Sequence, residues 1–299
     1  MKNTNKIDYI ICFYSVTNTN HIITMEFNNE TIRIAVKLYI KNEKEGEEKY
    51  GHINTWNVSG VTDMSQLFHG TLKPNAFNQP LNNWDVGNVT DMRGMFYHTS
   101  SFNQPLDKWN VSNVTNMHSM FGSAKSFNQP LNKWNVSNGT NMYMMFGFAK
   151  SFNQLLNKWD VGNVIHMEWM FYNALSFNQP LDNWNVSNVT GMYKMFEKAS
   201  SFNQPLINWN VSNISKIDSM YGMFNSTTIG EMLEKHNLTN ENYFDKKVYH
   251  KLFVWPRKKD YVTFLVNNQY LPLNKHQEKH EYHPLFDNTD MSKYIAYYL

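Results

Sequence analysis

Residues 102–121 read Phe-Asn-Gln-Pro-Leu-Asp-Lys-Trp-Asn-Val-Ser-Asn-Val-Thr-Asn-Met-His-Ser-Met-Phe. Close copies of this phrase fill the middle of the chain, where the tryptophans from Trp84 to Trp209 are 25 residues apart without exception. The preceding gap, from Trp56 to Trp84, is 28 residues, and its excess lies in residues 71–76. Self-similarity at a fixed period of this length is the signature of stacked repeats. The sequence therefore predicts a solenoid.

Each unit is predicted to contain a short strand followed by a helix. Trp109 and Val111 alternate with polar residues, as side chains of a strand do. The second half has apolar residues at i, i+3, i+6 and i+7, which is typical of one helix face: Val114, Met117, Met120 and Phe121. Asn113 or Thr115 is placed to cap that helix.

One such unit cannot bury its own apolar side chains, so neighbouring units are expected to do so. We expect Trp109 to lie against Trp84 and Trp134, which have the same register. The recurring Asn-Gln pairs, from residues 78–79 to 203–204, are expected to form a structural ladder whose amides satisfy loop N–H groups and carbonyls.

The repeat resembles that of a known family. Its phrase, Phe-Asn-Gln-Pro-Leu-x-x-Trp-Asp/Asn-Val-Ser/Gly-Asn-Val-Thr-x-Met-x-x-Met-Phe, is similar to the 25-residue repeat of BspA-like leucine-rich-repeat proteins, first grouped with mycoplasma lipoproteins. That repeat also occurs in bacterial surface proteins, protists and large DNA viruses. The resemblance covers about residues 51–224. It implies adhesion or protein interaction and no known enzymatic activity.

We therefore expect an α/β fold: a leucine-rich-repeat-like solenoid of about seven 25-residue strand-helix coils at residues 51–224. Residues 1–50 would be an N-terminal capping region and residues 225–299 a C-terminal helical region. Helices are expected at residues 29–40 and 229–235. The apolar residues 7–16 are either a first strand or an apolar cap segment or, less consistently with Asp8, part of a secretion signal.

Composition excludes several classes of protein. The 299 residues carry 27 Lys+Arg against 25 Asp+Glu, so the chain lacks the charge of a strongly basic nucleic-acid binder. One cysteine, Cys12, excludes an internal disulfide framework and a Cys-rich zinc site. No apolar run approaches the roughly 20 residues that span a bilayer. Neither nucleic acid nor a membrane span is therefore expected.

No motif indicates catalysis or a cofactor. The sequence has no Gly-rich phosphate loop, nucleophile elbow or Cys-His pair. Asp85 and Asp160 recur in one register, but Asn110 and Asn135 share that register, and an amide cannot exchange a proton near neutral pH. We expect a protein that is not an enzyme and holds no cofactor.

One cluster near the C-terminus could bind a metal ion. A helix would bring His276, His280 and His283 to one side at i, i+4 and i+7. The order is His-Gln-Glu-Lys-His rather than His-Glu-x-x-His, and Pro284 follows. A solvated loop is the favoured interpretation, with a metal site as the alternative.

Two sets of variable repeat positions are candidate partner-binding residues. Lys108, Lys133 and Lys158 share one register, either as an ordinary solvated surface or as a stripe for an anionic partner. Trp169, with Tyr143 and Tyr193 in the neighbouring register, is either a contact patch or a partly covered helix flank.

These observations predict a non-catalytic scaffold for an unidentified protein partner. A surface adhesin is the first alternative, which would require export, and a metal-dependent C-terminal module is the second. Glycans on the many Asn-x-Ser/Thr sites, such as Asn113, are expected to obstruct stacking. That expectation favours an intracellular location over secretion.

Overall fold

The computed structural model describes residues 25–70, 77–214 and 219–245. Three α-helices lie at its flanks: α1 (Thr31–Lys41), α2 (Glu43–Tyr50) and α3 (Thr228–Lys235). Short 3-10 helices follow α2 and α3 at Ile53–Thr55 and Glu241–Phe244. The helices expected at both flanks are thus present. The expectations for residues 7–16 and for His276, His280 and His283 lie outside the described residues.

Side-chain caps and apolar faces explain the flanking helices. The Asn28 Oδ1 accepts the backbone N–H of Thr31 at 2.9 Å, before α1 begins. Helix α1 buries one face through Ile32, Ala35, Val36 and Tyr39. The Thr227 hydroxyl caps α3 by accepting the Gly230 N–H at 3.0 Å.

The helix predicted in each 25-residue unit is wrong. Within the described part of the repeats, each unit instead has a six-residue turn segment, at residues 65–70, 93–98, 118–123, 143–148, 168–173, 193–198 and 221–226. The strand predicted at Trp109 and Val111 is also wrong, because these residues form no strand. The parallel bridges between units lie instead at Asp63, Asp91, Asn116, Asn141, His166 and Gly191.

Backbone hydrogen bonds explain why no helix forms. Alternate N–H groups of a turn segment donate to the next unit, as from Gly94 to the His118 carbonyl at 2.8 Å. The N–H groups between these donate to the carbonyl three residues earlier in the chain, as from Met95 to the Met92 carbonyl at 3.1 Å. A helix would instead bond each N–H four residues back. Ser119, with φ of 53°, is in the left-handed region, which a right-handed helix excludes.

Aromatic columns fill the interior between successive units. The Trp109 and Trp134 rings are 6.3 Å apart and inclined by 5°, and Phe121 and Phe146 stack at 5.7 Å. The buried Trp109 indole N–H also donates to the Leu81 carbonyl of the preceding unit at 2.9 Å. Each tryptophan from Trp84 to Trp209 makes the equivalent bond. The stacking of Trp109 on Trp134 that the 25-residue register predicts is therefore present.

Asparagine ladders join the units at their loops. The Asn103 Oδ1 accepts the Asn128 N–H at 2.9 Å and the Gln129 amide at 3.0 Å, as expected for the Asn-Gln pairs. Asn113, expected as a helix cap, instead donates to the Gly87 carbonyl at 2.7 Å. Thr115 likewise donates to Thr90 O at 3.3 Å rather than capping. Side-chain amides thus hold one unit to the next.

Among the described residues, no helix is long and apolar enough to cross a membrane.

Candidate interaction surface

The first, second, fifth and sixth residues of each turn segment form one face, which we call the turn face, and their exposure differs between units. In the unit of residues 93–98, Arg93 and His98 are exposed and Tyr97 is half-buried on this face, whereas Gly94 is buried, as are Met95 and Phe96 of the interior. Interior registers repeat the same apolar residues, whereas the turn-face registers change from unit to unit. Variation between units is therefore concentrated on the turn face, where it does not disturb the core.

The three candidate lysines lie on a different surface. Lys108, Lys133 and Lys158 are all exposed, and the Lys108 ammonium donates to Asn83 Oδ1 at 3.4 Å. Lys133 and Lys158 line a depression of about 660 Å³, and Asp107 and Asp160 line the same depression. Its mixed charge fits an ordinary solvated surface better than a stripe for an anionic partner.

The turn face brings Trp169 and Tyr193 together. Their rings are 6.0 Å apart, and Tyr193 stacks in turn on Tyr221 of the last unit at 6.0 Å. The Lys194 ammonium lies 5.5 Å from the Trp169 ring centre. Tyr172 contacts Trp169 at 4.5 Å. These side chains form one aromatic patch across three units, which we call the Trp169 patch.

The third candidate, Tyr143, lies further along the same face and contacts the His118 ring at 4.8 Å. Burial raises the pKa of its phenol above the ordinary value, and the charge of Glu168 raises it further. Glu168 has the same register as Tyr143 and Tyr193 and lies in the unit between theirs. The structure therefore places all three aromatic candidates on the turn face, with a carboxylate among them.

Glu168 has an unused acceptor. Its Oε1 is 3.4 Å from His166 Nδ1, whereas its Oε2 is buried and has no hydrogen-bond partner among the described residues. A buried carboxylate oxygen without a donor is costly.

Sequence reasoning missed part of this surface. Tyr172, Lys194 and Tyr221 contact the predicted residues, but they were not among the residues that the sequence singled out. Lys194 forms an ion pair with Glu197 at 3.2 Å, and that hydrogen-bonded partner raises the pKa of the ammonium group. A comparison of each register across the units, which identifies the most variable positions, could have found Tyr172, Lys194 and Tyr221 from the sequence.

Within the part of the chain that the structure describes, no three His, Cys, Asp or Glu side chains are grouped so as to hold a metal ion. The arrangement of the turn face offers stacking, cation and carboxylate contacts, which are the contacts of recognition.

Comparison with known proteins identifies a family. A family model described as "Mycoplasma protein of unknown function, DUF285" matches residues 37–158 and again residues 132–236. Neither a curated protein nor a solved structure gives a significant match. The two overlapping matches span two thirds of the chain and include the repeats whose stacking is described above. The chain therefore belongs to this mycoplasma-type repeat family of unknown function, DUF285.

Proposed function

We propose that the chain is a non-catalytic protein-interaction scaffold whose stacked units form a leucine-rich-repeat-like solenoid of the BspA type. The Trp169 patch would be its principal contact with a protein partner. The observation that carries this proposal is the continuous contact of Trp169, Tyr193 and Tyr221 on a surface whose registers vary between units. Stacked repeats provide such a surface because its residues can change independently of the core.

The chemistry of the patch supports a protein partner. Tyrosine, tryptophan and methionine are enriched where proteins bind one another, since they give a large contact area at a small entropic cost. Tyr221 is 58% exposed, whereas Trp169 and Tyr193 are half-buried and held by their neighbours. Rings that are already ordered lose little freedom on binding.

Capture of a partner from the native host with tagged protein tests the proposal. The wild type is compared with a Trp169→Ala/Tyr193→Ala variant and with a matched control, Lys108→Glu/Lys133→Glu/Lys158→Glu. Circular dichroism and urea midpoints verify that all three proteins are folded. We expect a partner that the wild type and the lysine variant retain and the aromatic variant loses. Loss with the lysine variant alone, or with neither variant, would contradict the proposed contact.

A further inference from the structure

A second feature of the turn face lies in the units that precede the Trp169 patch along the chain. A depression of about 440 Å³ opens among the turn segments of residues 65–70, 93–98 and 118–123 and reaches Met144. Its lining includes Gln66, His69, Arg93, Tyr97 and His118. Guanidinium, imidazole, phenol and amide groups therefore converge on one space, and no carboxylate belongs to its lining.

Arg93 carries the charge of this depression. Its side chain is exposed, and no carboxylate lies within ion-pair distance of it among the described residues. The nearby Asp91 already accepts the Arg93 backbone N–H at 2.8 Å through Oδ1 and the Asn116 amide at 3.4 Å through Oδ2. The guanidinium thus has its fork of donors available for an external oxyanion.

The positive field of Arg93 acts on its neighbour. Burial lowers the pKa of His118 below its ordinary value, and the charge of Arg93 lowers it further, against an opposing effect of Asp91. His118 also contacts the Tyr143 ring at 4.8 Å. An anion bound beside Arg93 would reduce this repulsion and favour an imidazolium that donates to it.

The remaining walls are fixed and partly apolar. The Tyr97 ring lies directly over Gly122, where an added Cβ would come within 2.7 Å of Tyr97 Cδ2. The rings of His69 and His98 contact Tyr97 at 5.1 and 4.2 Å. Because Met144 also lines it, the depression has room and apolar surface beyond what a small inorganic ion needs.

We propose that this depression binds a phosphate monoester, with Arg93 as the principal ligand of the phosphate oxygens and His118, Tyr97 and Gln66 as further donors. A phosphate group suits this set because it is doubly charged and has three acceptor oxygens. The organic group of the ester would contact Tyr97 and Met144. The inference that the phosphate monoester belongs to a protein partner rests on the proposed scaffold function. The inference that the depression binds a phosphate group does not rest on it.

Calorimetric titration of the purified full chain tests the inference. Phenyl phosphate is the probe, and inorganic phosphate and phenylacetate are compared with it in a phosphate-free buffer of low ionic strength. We expect saturable binding of phenyl phosphate, with weaker binding of both other ligands. Arg93→Gln should weaken it about tenfold or more, since a charged bidentate contact is lost. Lys133→Gln, the matched control on the other surface, should leave it unchanged.

Several results would overturn the inference. These are the absence of saturable binding, equal losses in Arg93→Gln and Lys133→Gln, and inorganic phosphate binding as tightly as phenyl phosphate. If Arg93→Gln fails to fold, chemical shifts of the wild type decide, because the ring protons of Tyr97 and His118 must move with phenyl phosphate. Capture of a protein partner is not used, so failure of this site and failure of the proposed scaffold are separate outcomes.

Discussion

Left-handed backbone at two positions of each turn segment shapes the repeats more than any single side chain does. Ser119, Met144, Trp169 and Lys194 share one such register with φ between 53° and 62°, and Gly94 occupies it with φ of 60°. Residues other than glycine are disfavoured in this region because Cβ approaches the backbone. Trp169 is therefore held on the turn face at a local cost.

Ser119→Gly is expected to stabilise the protein by up to about 1 kcal/mol, since glycine removes the left-handed strain and loses part of that gain through its more flexible unfolded chain. Urea unfolding of the two proteins measures the difference. Ser112→Gly is the control, because Ser112 lies outside the left-handed region. It should destabilise by roughly 0.4–1 kcal/mol. Equal shifts in both variants would refute the strain.

The tryptophan column predicts a second change at this scale. Trp109→Phe removes the hydrogen bond to the Leu81 carbonyl and leaves part of a buried site empty. We expect a loss of about 2 kcal/mol in the free energy of unfolding. Trp169→Phe is the control, because no hydrogen bond of its indole to the described residues is recorded and it is half-buried. It should cost about 0.5 kcal/mol or less, and similar losses would contradict this role of the Trp109 indole.

At the scale of the element, the sequence predicted which residues are buried but not the backbone that buries them. Val114, Met117 and Met120 are all buried as expected. Their spacing of three residues matches the three-residue bonds of the turn segments as well as one side of a helix. Serine, methionine and lysine in the left-handed positions give no glycine signal, so the turns could not be recognised from residue type.

Gly139 provides a test at the scale of one unit. Valine or isoleucine occupies its register elsewhere, and Val114 is fully buried there with a turn bond to the Val111 carbonyl at 3.0 Å. A Cβ on Gly139 would lie 3.3 Å from the flexible end of Met142 and 3.0 Å from the Val136 carbonyl. Gly139→Val should therefore stabilise the protein by about 1–2 kcal/mol.

Thermal and urea unfolding measure this gain, with Val114→Gly as the reciprocal variant. That substitution should lower the free energy of unfolding by about 2–3 kcal/mol, because it removes a buried side chain and frees the unfolded chain. Destabilisation by Gly139→Val would show that its unit differs in backbone from the others.

At the scale of the whole molecule, the 43 asparagines acquire a structural explanation. From the sequence, a ladder was predicted only at the Asn-Gln pairs. The described repeats use asparagine in several registers to join units, as at Asn103 and Asn113. The phosphate site could not be predicted, because Gln66, Arg93 and His118 come from three units and meet only when these are stacked.

Register across the units predicts the effect of a deletion. Removal of the 25 residues 128–152 would let Asn103 accept the N–H of Asn153 in place of that of Asn128. We expect a folded protein with a lower urea midpoint, since one set of contacts between units is lost. Removal of the 24 residues 128–151 shifts every later side chain by one position and should abolish cooperative unfolding. Equal behaviour of the two deletions would contradict the stacking in register.

The central claim is that the turn face contacts a protein partner. The most direct measurement is photo-crosslinking from Tyr221, replaced by a photoreactive phenylalanine derivative, in native host extract. Leu155, which is 46% exposed, carries the same group as the matched control outside the turn face. The account predicts a discrete crosslinked partner from position 221 that is absent from position 155 and lost with Trp169→Ala. A crosslink from position 155 alone, or the same products from both positions, would contradict it.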